Sequence, residues 1–231
     1  MVWARLTSDR RSFLFAVASA IVLIALSLTV WNSIVIAPVK LFVVLLHELS
    51  HGLAAVATGG SIVRIDIDPR IGGSCMTSGG NAFLIASSGY IGSLLIGGSI
   101  LSLARNRVGA RLVAWAIALG SIVVALAFVR NTFGLVFCIV FGVALAAVSH
   151  LLRGVWLQMA ILYLGGMCCL YALIDIREDL FSPQTVPTDA VVLSGMTGIP
   201  ATVWSVLWGA MSLLLFAGII RGMWKRITKA L

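Results

Sequence analysis

The chain has 231 residues, 61 % of them hydrophobic and 10 % charged, with a mean hydropathy of +1.11 and a formal net charge of +8. That composition excludes a water-soluble globule and defines a multi-span membrane protein whose first partner is the lipid bilayer. The basic residues sit at the ends of apolar runs, not in a stripe interleaved with aromatics, so the charge reads as membrane orientation and no nucleic-acid partner is expected.

Apolar runs at 13–36, 38–57, 83–103, 112–129, 132–149, 154–174 and 201–220 are each near the length that crosses a bilayer. They predict an all-α polytopic protein of six to seven transmembrane helices, folded as one integral-membrane domain over 1–231. No linker, low-complexity tract or internal repeat divides it. In the first run, Arg5, Arg10 and Arg11 precede the apolar core, and Ala18-Ser19-Ala20 resembles a signal cleavage site. The run continues about ten residues past Ala20, which suits an uncleaved anchor better than a cleaved signal. If seven spans alternate, Arg105, Arg107, Arg111, Arg153, Arg221, Lys225, Arg226 and Lys229 share one side, but the basic N-terminus then falls opposite. Absolute orientation stays open.

The second run ends in His47-Glu48-Leu49-Ser50-His51, an HExxH motif. On a helix the two histidines, four residues apart, share a face, so one cation can bind both imidazoles with Glu48 beside it as general base. A charge at mid-membrane costs roughly 2.5–3.5 kcal/mol on insertion scales, so Glu48 needs a reason to be there. The plainer alternative makes His47 and His51 polar packing groups hydrogen-bonded to neighbouring helices.

Between the second and third runs, Ile62-Val63-Arg64-Ile65-Asp66-Ile67-Asp68 alternates like a strand and is followed by Pro69-Arg70. A hairpin-like insertion after the HExxH helix is the expectation, with an edge on which an extended substrate could pair. A polar interhelical loop is the alternative. In the third run Gly89, Ser93 and Gly97 recur at steps of four and predict a smooth packing stripe. The motif helix, with Gly52, Ala54 and Ala55 after His51, is its expected partner. Asn131, in a polar break between two runs, reads as a turn. Cys75, Cys138, Cys168 and Cys169 form no CxxC pair and read as structural.

A zinc site of this kind takes three protein ligands and a water, so a third must come from elsewhere. The motif lies toward the C-terminal end of the second span, and four crossings later the chain returns to that face at Asp175-Ile176-Arg177-Glu178-Asp179. Asp175 is nearer the apolar run and is the favoured third ligand, since a buried carboxylate demands a partner. Asp179 is the next option, and Asp189 is possible but less favoured. His150, by the same count on the opposite face, is a weaker option, and an ordinary charged interfacial loop accounts for Asp175 and Asp179 as well.

His47-Glu48-Leu49-Ser50-His51-Gly52, the Gly59-Gly60 strand region and Ser88-Gly89-Tyr90-Ile91-Gly92-Ser93 together resemble the B-type branch of the site-2-protease metallopeptidases. The resemblance covers about residues 38–103 well and continues faintly through Asp175-Ile176-Arg177-Glu178-Asp179 to Thr188-Asp189-Ala190. It implies an intramembrane zinc protease in which His47 and His51 bind Zn2+, Glu48 activates water, and a later aspartate completes the site. It also implies membrane-anchored protein substrates and a bacterial cell membrane as the setting. The chain departs from better-known members in lacking the asparagine-proline run that leads to Leu-Asp-Gly. A non-proteolytic ion transporter or scaffold that retains the metal-binding motif is the alternative class.

Overall fold

The computed structural model describes residues 2–181 and 188–229, with side chains described at 11–178, 180–181 and 188–225. Seven long apolar helices are present among them: α1 (Val2–Thr29), α2 (Ala37–Ala57), α3 (Ala82–Leu103), α4 (Arg107–Phe128), α5 (Thr132–Leu151), α6 (Val155–Phe181) and α8 (Ala201–Lys229). Between the last two lies a short helix, α7 (Asp189–Thr197), and a hairpin of β1 (Ser61–Asp68) and β2 (Gly72–Ser78) joins α2 to α3. The long helices match the apolar runs, and the strand alternation matches β1.

Local chemistry sets the helix starts. Pro38 opens α2, where its missing N–H leaves no bond unmade. Asn81 Oδ1 accepts from Leu84 N at 3.0 Å, and Asn106 Oδ1 accepts from Gly109 N at 2.7 Å, capping α3 and α4.

α2 is the central helix. Of its spanning window 67 % is buried, against 17 % for α1 and for α8. Phe42, Val43 and Leu45 of α2 join Leu94 of α3 and Leu157, Ile161 and Cys168 of α6 in the core. The outer helices turn Ile21, Leu126, Val140 and Leu214 outward, as lipid contact requires. At the far end of α3, the buried Gln158 donates to Ala104 O at 2.9 Å, giving a helix-end carbonyl a partner.

β1 and β2 pair antiparallel, with Ile65 opposite Cys75 and Ile67 opposite Gly73. Register shifts between Ile62 and Arg64, a bulge that bends the strand. The turn is held by Asp68, whose Oδ1 accepts from Arg70 N at 2.8 Å and whose O accepts from Ile71 N at 3.0 Å. Ile71 takes φ 66°, a left-handed conformation that a β-branched residue rarely adopts.

The outer edge of β1 is occupied. Val129 bridges Ile65 in parallel, Arg130 N donates to Ile65 O at 3.1 Å, and Asn131 bonds Ile67 through both ends of its amide. Asn131 does stand at the α4–α5 turn, as its sequence context predicts, and it also serves as a strand partner. The small-residue stripe divides. Gly89 faces α2, while Gly97 faces Cys168 and Cys169 of α6. Gly52, expected against α3, meets Ile62 of the hairpin instead.

Candidate metal centre

His47 and His51 lie one turn apart on α2, with ring centroids 4.8 Å apart. Both present Nε2 to the same atom. Asp189 Oδ2 stands 3.2 Å from His47 Nε2 and 3.3 Å from His51 Nε2. The three side chains offer ligand atoms that all lie within 4.8 Å of one another. Asp189 Oδ2 is buried yet has no aligned hydrogen-bond donor. A buried carboxylate oxygen close to two ring nitrogens, and hydrogen-bonded to neither, is an arrangement that could hold a cation.

Burial alone would raise the Asp189 carboxyl, but the facing His47 and His51 imidazoles outweigh it and hold the group well below the usual carboxylate range. Asp189 is brought there by α7. Thr188 caps that helix by accepting from Val191 N, Gly198 ends it in the left-handed conformation at φ 72°, and Ala190 and Leu193 are buried. Leu193 packs with Ala86, Tyr90, Ile176 and Trp208 of the flanking helices, which fixes the height of Asp189 against the histidines.

The rings are held from behind. His51 Nδ1 lies 2.7 Å from Ile85 O, the geometry of an N–H donated to a carbonyl, which leaves Nε2 with its lone pair. Tyr90 meets the His47 ring edge-on at 4.8 Å. Gly89 explains how α3 comes this close. A Cβ there would stand 2.7 Å from His51 Nε2 and nearer still to His47 Nε2, so any side chain would enter the space between the ligand atoms.

Glu48 is buried and lines the same cavity of about 600 Å³ as His47, His51 and Asp189. β2 covers it closely. A Cβ on Gly73 would sit 2.8 Å from Glu48 Cγ and 2.9 Å from Oε1, so glycine allows the strand to rest on the glutamate. Cys75, also on the cavity wall, has its thiol pushed up to about 12 by burial and by the nearby Glu48 charge.

Three of the four residues singled out in the sequence, His47, Glu48 and His51, therefore meet in one site. The fourth is placed differently. Asp175 lines the cavity, but its Oδ2 is 4.0 Å from His47 Nδ1, the nitrogen turned away from Asp189, and it is not part of the three-residue cluster. Asp189 stands at the two Nε2 atoms where Asp175 was expected: Asp175 belongs to α6 and meets Nδ1 of the His47 ring, whereas α7, packed against α3 and α8, presents its first residue to both Nε2 atoms. The Asp179 side chain lies outside the described residues. His150 is exposed in the last turn of α5, outside the cluster. A signal for Asp189 does exist in the sequence: Thr188 as cap, the apolar pair Ala190 and Leu193 three apart, and Gly198 before Pro200 together spell a short helix starting at that aspartate.

A helical membrane protein with this set of groups in a cavity at one end of its bundle falls in the class of membrane metallopeptidases. The Peptidase M50B-like family model matches residues 19–219, and the chain belongs to that family. No curated protein and no solved structure matches the chain.

Proposed function

We propose that the protein is an intramembrane zinc endopeptidase that hydrolyses peptide bonds of membrane-anchored protein substrates, with His47, His51 and Asp189 as metal ligands and Glu48 as general base. The observation that carries this reading is the convergence of two imidazole nitrogens on one buried carboxylate oxygen beside Glu48. The donor set suits zinc. With bonds of about 2.0–2.2 Å, ligand atoms of a tetrahedral centre stand about 3.3–3.6 Å apart, and the nitrogen–oxygen separations of 3.2 and 3.3 Å lie at the short end of that edge.

Zinc held there would supply Lewis acidity, bringing the pKa of a water toward about 7 and polarising the scissile carbonyl. The protein supplies the rest. Glu48, one residue from His47 and walled by β2, takes the proton of the attacking water and returns it to the leaving amine. The hairpin supports a route for substrate: β1's outer edge is engaged by Val129, Arg130 and Asn131, while β2 borders the cavity. An extended segment adding to β2 would bring its backbone past Glu48. Strand pairing suits the chemistry, because a helical peptide bond is shielded and must be extended before attack.

The test is Glu48→Gln. Purified with a membrane-anchored substrate in vesicles, this variant should hold as much zinc as the wild type and show no cleavage above background. Cleavage at the native rate would overturn the assignment, and failure of the wild type to bind zinc would remove the metal reading and leave an ion transporter or scaffold.

A further inference from the structure

We propose that Asp175 is a positioning residue, whose carboxylate takes the Nδ1–H of His47 and thereby fixes which nitrogen of that ring faces the metal. The inference rests on the metal reading above. A neutral imidazole has one N–H and one lone pair, and the acceptor placed at one nitrogen decides which nitrogen is left to bind a cation. The two histidines are framed alike. Both turn Nε2 toward Asp189 Oδ2, and each turns Nδ1 toward an oxygen on another helix: Ile85 O of α3 for His51 at 2.7 Å, and Asp175 Oδ2 of α6 for His47 at 4.0 Å. A swing of about 1 Å brings the carboxylate within hydrogen-bond distance of Nδ1.

The chemistry of the two acceptors differs. A carbonyl orients its ring, whereas a carboxylate also increases the electron density that the ring donates. His47 is thus the more strongly donating ligand of the pair, and it adjoins Glu48. Asp175 and Asp189 stand on different helices and meet different nitrogens of the same ring, so their roles are separable by substitution.

The experiment uses the full chain in detergent, with zinc and cobalt(II) as probes. Wild type, Asp175→Asn, Asp175→Ala, Asp175→Glu and Asp189→Asn are compared for metal stoichiometry, for zinc affinity by chelator competition, and for the cobalt(II) absorption spectrum. Thermal melting serves as the control for folding. Asp175→Asn and Asp175→Ala should keep one metal per chain with affinity lower by roughly 10–100-fold. Their cobalt bands should shift without losing the intensity of a four-coordinate centre. Asp175→Glu should recover most of the affinity, and Asp189→Asn should lose stoichiometric metal. Zinc affinity of Asp175→Asn within twofold of the wild type would overturn the proposal. So would loss of metal as complete as in Asp189→Asn, which would make Asp175 a ligand. If Asp175→Ala does not fold, the asparagine and glutamate variants decide. Absence of zinc from the wild type would sink the metal reading itself, a result distinct from an unchanged Asp175→Asn.

Discussion

Asn131 pairs with Ile67 as a neighbouring strand would: its Oδ1 accepts from Ile67 N at 3.0 Å and its Nδ2 donates to Ile67 O at 2.7 Å. One side chain thus satisfies both backbone groups of a fully buried strand residue and fastens the hairpin to the helical bundle. Asn131→Ala should cost about 1–3 kcal/mol, the penalty for leaving such groups unpaired. Asn131→Asp retains the acceptor and loses the donor, so it should fall between. Thermal melting and limited proteolysis of the 59–80 segment measure both, and an alanine variant as stable and as resistant as the wild type would remove Asn131 from this role.

Gly89 and Gly120 make a matched pair for testing close approach. A methyl at Gly89 meets both histidine Nε2 atoms, whereas one at Gly120 meets nothing within 4 Å. Gly89→Ala should therefore lower stability by about 1–3 kcal/mol through overpacking, and it should weaken zinc binding as well. Gly120→Ala should be neutral or slightly stabilising, since alanine favours the helix by up to about 1 kcal/mol. Melting temperature and zinc titration on both proteins check the contrast.

Gly73→Ala separates base positioning from metal binding. The added methyl presses on Glu48 Cγ and Oε1 and on Val44 Cγ1, its three nearest neighbours, none of which belongs to a histidine or to Asp189. Zinc content should stay at the wild-type level while the cleavage rate falls, with an effect larger in kcat than in KM. Loss of zinc in this variant would show that the strand supports the ligands themselves.

Cys75 provides a reading of the charge at Glu48. With its thiol pushed up to about 12 by burial and by the Glu48 carboxylate, only a minute fraction is thiolate near neutrality. Alkylation by iodoacetamide should be slow at pH 7 and rise close to tenfold per pH unit up to about pH 11. Removing the charge in Glu48→Gln lowers the thiol toward its ordinary range, so labelling at a fixed pH should speed up. A rate unchanged by that substitution would mean that burial alone sets the reactivity.

The spans, the hairpin and the pair of histidines were legible because each is a local periodic signal: runs of apolar residues, the alternation from Ile62 to Asp68, and the four-residue step from His47 to His51. The third carboxylate was not. Asp175 and Asp189 both return to the correct end of the bundle, and sidedness alone does not rank them. What brings Asp189 to the histidines is the docking of α7, where Leu193 packs against Tyr90, Ile176 and Trp208, residues from three separate helices. Asn131 escaped for a related reason, since its partner Ile67 is 64 positions away and no pattern links them. The glycine stripe reads as one surface in the sequence, yet its members serve different neighbours, Gly89 meeting α2 and Gly97 meeting α6.

The separation of Asp189 from His47 along the chain also orders events during synthesis. The histidines lie in the second spanning helix and the aspartate follows the sixth, so a growing chain has six of its spanning helices made before the proposed third ligand exists. On the proposed reading, the groups that would hold the metal come together only once α7 has followed α6 and docked beside α2.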